Sequence, residues 1–146
     1  MSKASAIALA IFARASQITV ANGYATDIGA TGYRGKKYLD PEALPCFVLV
    51  EESDEGVSRQ RVTSLTTTDY VLEGYATCDA DHPNDAGHLI VADLKKAIFS
   101  GDLSFGHGVT DIVWKGREIE PREEGTTLVA GRIRFALSYV ENLASP

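Results

Sequence analysis

Apolar residues recur every three to four positions near the start of the chain. Ile7, Ala10 and Ile11, with Arg14 one turn on, predict a small amphipathic helix over residues 3–17 with Ile7 and Ile11 on one face. The period then shortens to two. Ile18, Val20 and Tyr24 share a parity, and Asn22-Gly23 interrupts them, which predicts a bulged strand over 18–26, with a tight hairpin turn as the other reading. Residues 27–44, with Gly29, Gly32, Gly35 and Pro41, read as a long loop before a buried strand over 45–52. Strand, loop and strand together predict an extended β-hairpin.

Ser53-Asp54-Glu55-Gly56 is turn chemistry, after which residues 57–77 alternate Thr, Val, Leu and Tyr as one or two strands around Thr68-Asp69. Residues 81–85 supply turn and cap groups for a second helix, whose Leu89, Ile90, Leu94, Ala97 and Ile98 repeat at helical spacing until Gly101. A strand over 111–120 and a turn through Pro121-Arg122-Glu123-Glu124-Gly125 follow. In the last strand Val129, Ile133, Phe135, Leu137 and Tyr139 share one parity while Arg132, Arg134 and Ser138 share the other, so one face is buried. The interstrand connections are mostly too short for crossover helices. The fold class expected is α+β: two helices packed on a mainly antiparallel or mixed sheet with a long β-hairpin, one domain over 1–146.

Composition narrows the function classes. The 146 residues make one ordinary domain, and 20 acidic against 14 basic residues leave a net charge of -6. Duplex DNA binding draws most of its affinity from Lys and Arg on phosphates, so general DNA binding is disfavoured. Two cysteines do not make a disulfide framework. Cys46, inside an apolar run, is expected to be a small buried hydrophobe, and Cys78 precedes a polar turn. Lys3 and the apolar stretch to Ala13 mimic a secretory signal, but the stretch is short and Arg14 interrupts the cleavage-like region, so an uncleaved helix is favoured. No stretch reaches the roughly 20 apolar residues of a membrane span.

Candidate chemistry is sparse. Gly29-Ala30-Thr31-Gly32-Tyr33-Arg34-Gly35-Lys36-Lys37 imitates a phosphate loop, yet its glycine spacing is one residue too long. Lys37 also stands where Ser or Thr must hold magnesium. A hairpin loop is the preferred reading, with Arg34, Lys36 and Lys37 as contacts to a negatively charged partner or as ordinary solvated charge. The stretch from Cys78 to His88 gathers metal-binding residue types without a recognised spacing, and Asp81, Asn84 and Asp85 are explained as helix-capping and turn residues. Neither His107 nor any other histidine has a nucleophile or paired carboxylate by motif, so no catalytic residue, metal or cofactor is assigned. The different-class alternative is a small metal-dependent enzyme using Asp81, His82, Asp85 and His88.

Several segments, in order, resemble the tail terminator (tail completion) proteins of bacteriophages with long non-contractile tails. They are Ile18-Thr19-Val20-Ala21-Asn22-Gly23-Tyr24 after a first helix, Leu44-Pro45 opening an apolar strand that runs to Glu51-Glu52, and Ala92-Asp93-Leu94-Lys95-Lys96-Ala97 in the second helix. Gly131-Arg132-Ile133-Arg134-Phe135 through Tyr139 closes the match. The resemblance implies a non-enzymatic virion protein, assembled in the host cytoplasm, that forms a homohexameric ring on the head-proximal end of the tail tube. Such a ring stops tube polymerisation, contacts tail tube and head–tail connector proteins, surrounds passing DNA and needs no membrane. Another neck or tail-tube component is the nearest alternative. A closed ring needs two different matched patches per subunit. Residues 28–44 are the expected partner-ordered loop, and Arg34, Lys36, Lys37, Glu120, Arg122 and Glu123 are the candidate interface residues, chosen by charge and expected exposure.

Overall fold

The computed structural model describes residues 1–35, 43–79, 81–121 and 127–146. Helix α1 spans Lys3–Ala15, started by the Ser2 hydroxyl, which accepts a hydrogen bond from the Ser5 amide at 3.1 Å. Ile7, Ala8, Ile11 and Ala15 are fully buried, as the helical period requires. Arg14 closes the helix against its neighbours: its guanidinium donates to the Ile98 and Asp102 carbonyls and lies 3.8 Å over the Phe105 ring.

Five strands follow: β1 (Gly32–Arg34), β2 (Cys46–Gln60), β3 (Thr63–Thr77), β4 (Val109–Pro121) and β5 (Leu128–Asn142). Helix α2 (Pro83–Phe99) lies between β3 and β4 in the chain. The spatial order is β1-β2-β3-β5-β4, antiparallel except for the short parallel pair β1–β2. The expected α+β class is therefore correct: two helices on one mixed sheet, with a long hairpin. That hairpin is β2–β3, however, and not the one expected between 18–26 and 45–52.

The core lies between the helices and one sheet face. Ile7 and Ile11 of α1 and Ile90, Leu94 and Ile98 of α2 meet Phe47, Leu49, Leu72, Ile133, Phe135 and Leu137. Tyr70 stacks on Phe135 with centroids 5.5 Å apart. Helix α2 comes close because glycines face it. A Cβ on Gly74 or Gly131 would stand 2.5 or 3.0 Å from Ile90 Cγ2, and one on Gly87 would stand 2.4 Å from Ile119. The other sheet face carries a smaller cluster of Cys46, Val48, Tyr75 and Ala130, and Cys78 is half-buried.

Four local expectations are corrected. Residues 18–26 form no strand: Val20–Asn22 is a 3-10 turn that ends at Gly23, whose φ is +88°. The Val20 amide donates to Asp27 and the Asn22 amide group donates to the Gln17 carbonyl, so side chains take the hydrogen bonds a strand would need. Ser53 to Gly56 is not a turn but part of β2, with the register shift between Glu51 and Asp54 absorbing two residues as a bulge. None of Asp81, Asn84 and Asp85 is the N-cap of α2: that residue is His82, which makes no side-chain cap bond and precedes Pro83 at the first turn. Leu89 is 49% exposed and stands off the buried face.

Burial of Tyr75 yields a pH prediction. Its phenol donates to Glu73, and burial followed by that carboxylate pushes its pKa up to about 12. The fold thus favours the protonated phenol. Its contribution, about 2 kcal/mol, is intact below the unfolded value near pH 10 and is lost as pH rises to 12. Denaturant unfolding from pH 8 to 12 should show Tyr75→Phe losing about that much less stability than wild type over the alkaline limb. Equal losses would assign the alkaline transition to other groups.

Candidate assembly surface

The two charged candidates that fall within the described residues stand on opposite edge strands of the sheet. Arg34 ends β1 and pairs with Glu51 at 3.3 Å, both more than a third exposed. Glu120, on β4, pairs with Arg132 at 2.7 Å. The structure does not bring Arg34 and Glu120 together. Lys36, Lys37, Arg122 and Glu123 lie outside the described residues, as do residues 36–42 of the 28–44 loop. The part that is described is packed: Ile28 is fully buried, and Ile28–Ala30 forms a second 3-10 turn.

Glu120 belongs to an ionic cluster on the sheet face away from the helices. Arg132, with its side chain only 16% exposed, lies 3.9 Å from Glu73, 3.3 Å from Glu118 and 2.7 Å from Glu120. Alternation explains the grouping, because Glu73, Arg132 and Glu118 are cross-strand neighbours on β3, β5 and β4. Farther along the same face Arg134 reaches Glu52 at 2.8 Å and Lys115 reaches Asp69 at 2.6 Å. Pairs this exposed contribute little to stability, typically below about 1 kcal/mol, and are free to set which partner fits.

The residues of the metal alternative do not converge. Asp81, His82, Asp85 and His88 are all exposed around the first turns of α2, and the Asp79 carboxylate accepts from the Asp81 amide at 3.0 Å. Among the described residues no three His, Cys, Asp or Glu side chains group as ligands. His107 is exposed in a turn between positive-φ Gly106 and Gly108. Among them too, no helix is long and apolar enough to cross a membrane.

Two surfaces escaped the sequence reading. The first is the outer half of the β2–β3 hairpin, here called the arm, in which residues 51–62 are all exposed and Val57 and Val62 are 62% and 47% exposed. Its alternation of Val57 and Leu65 with polar residues was the available signal, hidden by the turn-like Ser53-Asp54-Glu55-Gly56. The second is Trp114 on edge strand β4, 40% exposed, with Phe99 edge-on at 5.8 Å and the Lys95 ammonium 5.1 Å from its ring. Large aromatic rings of this kind are common anchors of protein contacts. Neither protein-family models nor curated proteins give a match to this chain.

Proposed function

We propose that this chain is a structural virion protein that assembles as a ring on the head-proximal end of a phage tail tube. The ring ends tube polymerisation, offers the surface on which head–tail connector proteins dock, and leaves a lumen through which DNA passes. The observation that carries the reading is the arm: the outer half of β2 and the turn after it, residues 51–62, are all exposed on ordered β-structure, paired with a β3 strand that β5 backs as far as Asn142. Among the described residues β1 covers the outer edge of β2 only at residues 47–49, so the rest of that long, exposed strand is left for a neighbouring subunit to cover. The edge strands add to it. Arg34 on β1 and Glu120 on β4 mark opposite edges of the sheet, as a head-to-tail contact between identical subunits requires two different patches.

Particle imaging and native mass spectrometry of the purified chain, with and without tail tubes, test the role. Six-subunit rings on one tube end, and tubes that no longer lengthen, are expected. Tubes that grow unchanged and never carry the protein would overturn it.

A further inference from the structure

The sheet ends in two open edges that differ in charge. Among the described residues β1 pairs with β2 only at Phe47, Val48 and Leu49, and β4 pairs only with β5. The rest of β2, past Leu49, and the whole outer side of β4 are therefore without a neighbouring strand. Long open edges of this kind are templates for another strand. The open part of β2 carries Glu51, Glu52, Asp54 and Glu55, all exposed, and Asp54 and Glu55 make no ion pair among the described residues.

The middle of the β4 edge is apolar and basic. Val113 and Trp114 are consecutive in the strand, so they point to opposite faces, and both are exposed. Trp114, Phe99 and Lys95 line an open groove of about 310 Å3 where α2 meets β4. The Lys95 ammonium lies near the indole ring, but neither it nor the exposed Arg117 has an ionic partner among the described residues. Lys115, held by Asp69, adds a third cation to this stretch.

Strand directions fix how two copies can meet. β2 is antiparallel to β3, β3 to β5 and β5 to β4, so β2 runs opposite to β4. A second copy that continues the sheet, helices on the same side, therefore sets its β2 antiparallel to β4 of the first. Along the ladders Trp114 is level with Phe135, Tyr70 and Glu51, and Arg117 with Ile133, Leu72 and Leu49. Asp54 is three paired steps beyond Leu49, so the acidic and basic stretches lie within roughly 10 Å of one level. Asp54 and Arg117 also share the helix side of the sheet, through the ladders of Leu137 and Ile133, whereas Glu55 shares the other side with Lys115. Like edges repel: two β2 edges bring carboxylates together, and two β4 edges bring cations together. We infer that β2 from Val50 to Gln60 pairs with β4 of a second copy, with Asp54 beside Lys95 and Arg117, Glu55 beside Lys115, and Trp114 covered in the joint. The joint rests on the ring reading only for its partner, another copy of this chain.

Two variants of the full chain test the two edges: Asp54→Lys with Glu55→Lys, and Lys95→Glu with Arg117→Glu. All four positions are exposed, and circular dichroism should show both variants folded. Trp114 is the chain's one tryptophan, so its emission reports the joint directly. Over a concentration series at low salt, sedimentation velocity should show wild type self-associating, with Trp114 emission moving to shorter wavelength and acrylamide quenching falling over the same range. Each variant alone should associate at least about tenfold more weakly, because its two edges then carry like charge. An equimolar mixture should recover association, since each altered edge meets an opposite one. A wild type that stays monomeric, a Trp114 that stays equally accessible as copies associate, or a mixture that recovers nothing overturns the joint. Variants that still form rings on tube ends overturn it while keeping the tail-end role; a wild type that associates as described but never joins a tube overturns that role and keeps the joint.

Discussion

Replacing Asp93 with alanine should lower the stability of the fold by about 2–3 kcal/mol, a shift of roughly 6–12 °C in the thermal midpoint for a domain of this size. Asp93 is 4% exposed on α2, and its carboxylate faces the irregular segment that follows α1. One oxygen accepts from the Ala25 amide at 3.1 Å, and the other accepts from the Thr26 amide and hydroxyl, both at 2.7 Å. Bonds to an ionised acceptor are the strong ones, and removing it leaves two main-chain amides without their partner. Asp93→Asn keeps one acceptor oxygen but turns an NH2 group toward donors, so it should fall between wild type and Asp93→Ala. Amide hydrogen exchange should rise first over residues 19–28, ahead of the sheet. A uniform rise, or a loss below about 0.5 kcal/mol, would show that the segment is held by packing alone.

That same segment marks where local pattern stopped being informative. The periods of α1, α2 and β5 report burial directly, since each presents one face to one core: Ile7 and Ile11, Ile90 and Leu94, and the odd residues from Val129 to Tyr139 are all buried. Residues 18–26 carry alternation too, but the side chains of Asp27 and Asp93 take the amides of Val20, Ala25 and Thr26. Asp93 is 67 or 68 residues away from the amides it binds, beyond any window a periodicity reading uses. At Ser53 to Gly56 the failure runs the other way. Turn-forming residues stay in a strand because β3, rich in β-branched Thr, pairs with them across a bulge.

The candidate surface was legible only in its charges. Arg34 and Glu120 are exposed at strand positions, as expected, but which carboxylate or guanidinium each meets depends on strand order, and β5 lies between β3 and β4 rather than at an edge. That order places Arg132 among Glu73, Glu118 and Glu120, residues up to 59 positions away in the chain.

Gly29→Ala should cost about 3 kcal/mol, whereas Gly35→Ala should cost only about 1. Both glycines belong to the stretch that imitates a phosphate loop, and a loop kept glycine-rich for mobility would tolerate either change. The surroundings differ. A Cβ on Gly29 would stand 2.5 Å from the Ala15 carbonyl oxygen, 2.7 Å from the Ile18 nitrogen and 2.8 Å from the Ile18 oxygen, all main-chain atoms that no rotamer change can move aside. The Gly29 amide also donates to the Ile18 carbonyl at 2.8 Å, so the two backbones are clamped together between buried Ala15, Ile18 and Ile28. Among the described residues nothing lies within 4 Å of the Gly35 Cβ position, and alanine there meets the strain of a φ of +78°. Thermal unfolding of the two variants should therefore separate by several degrees, with Gly29→Ala the lower. Equal midpoints would mean that the end of α1 yields to the added methyl, and that the close approach of residues 15–18 and 29 is not what fixes the path of the chain into β1.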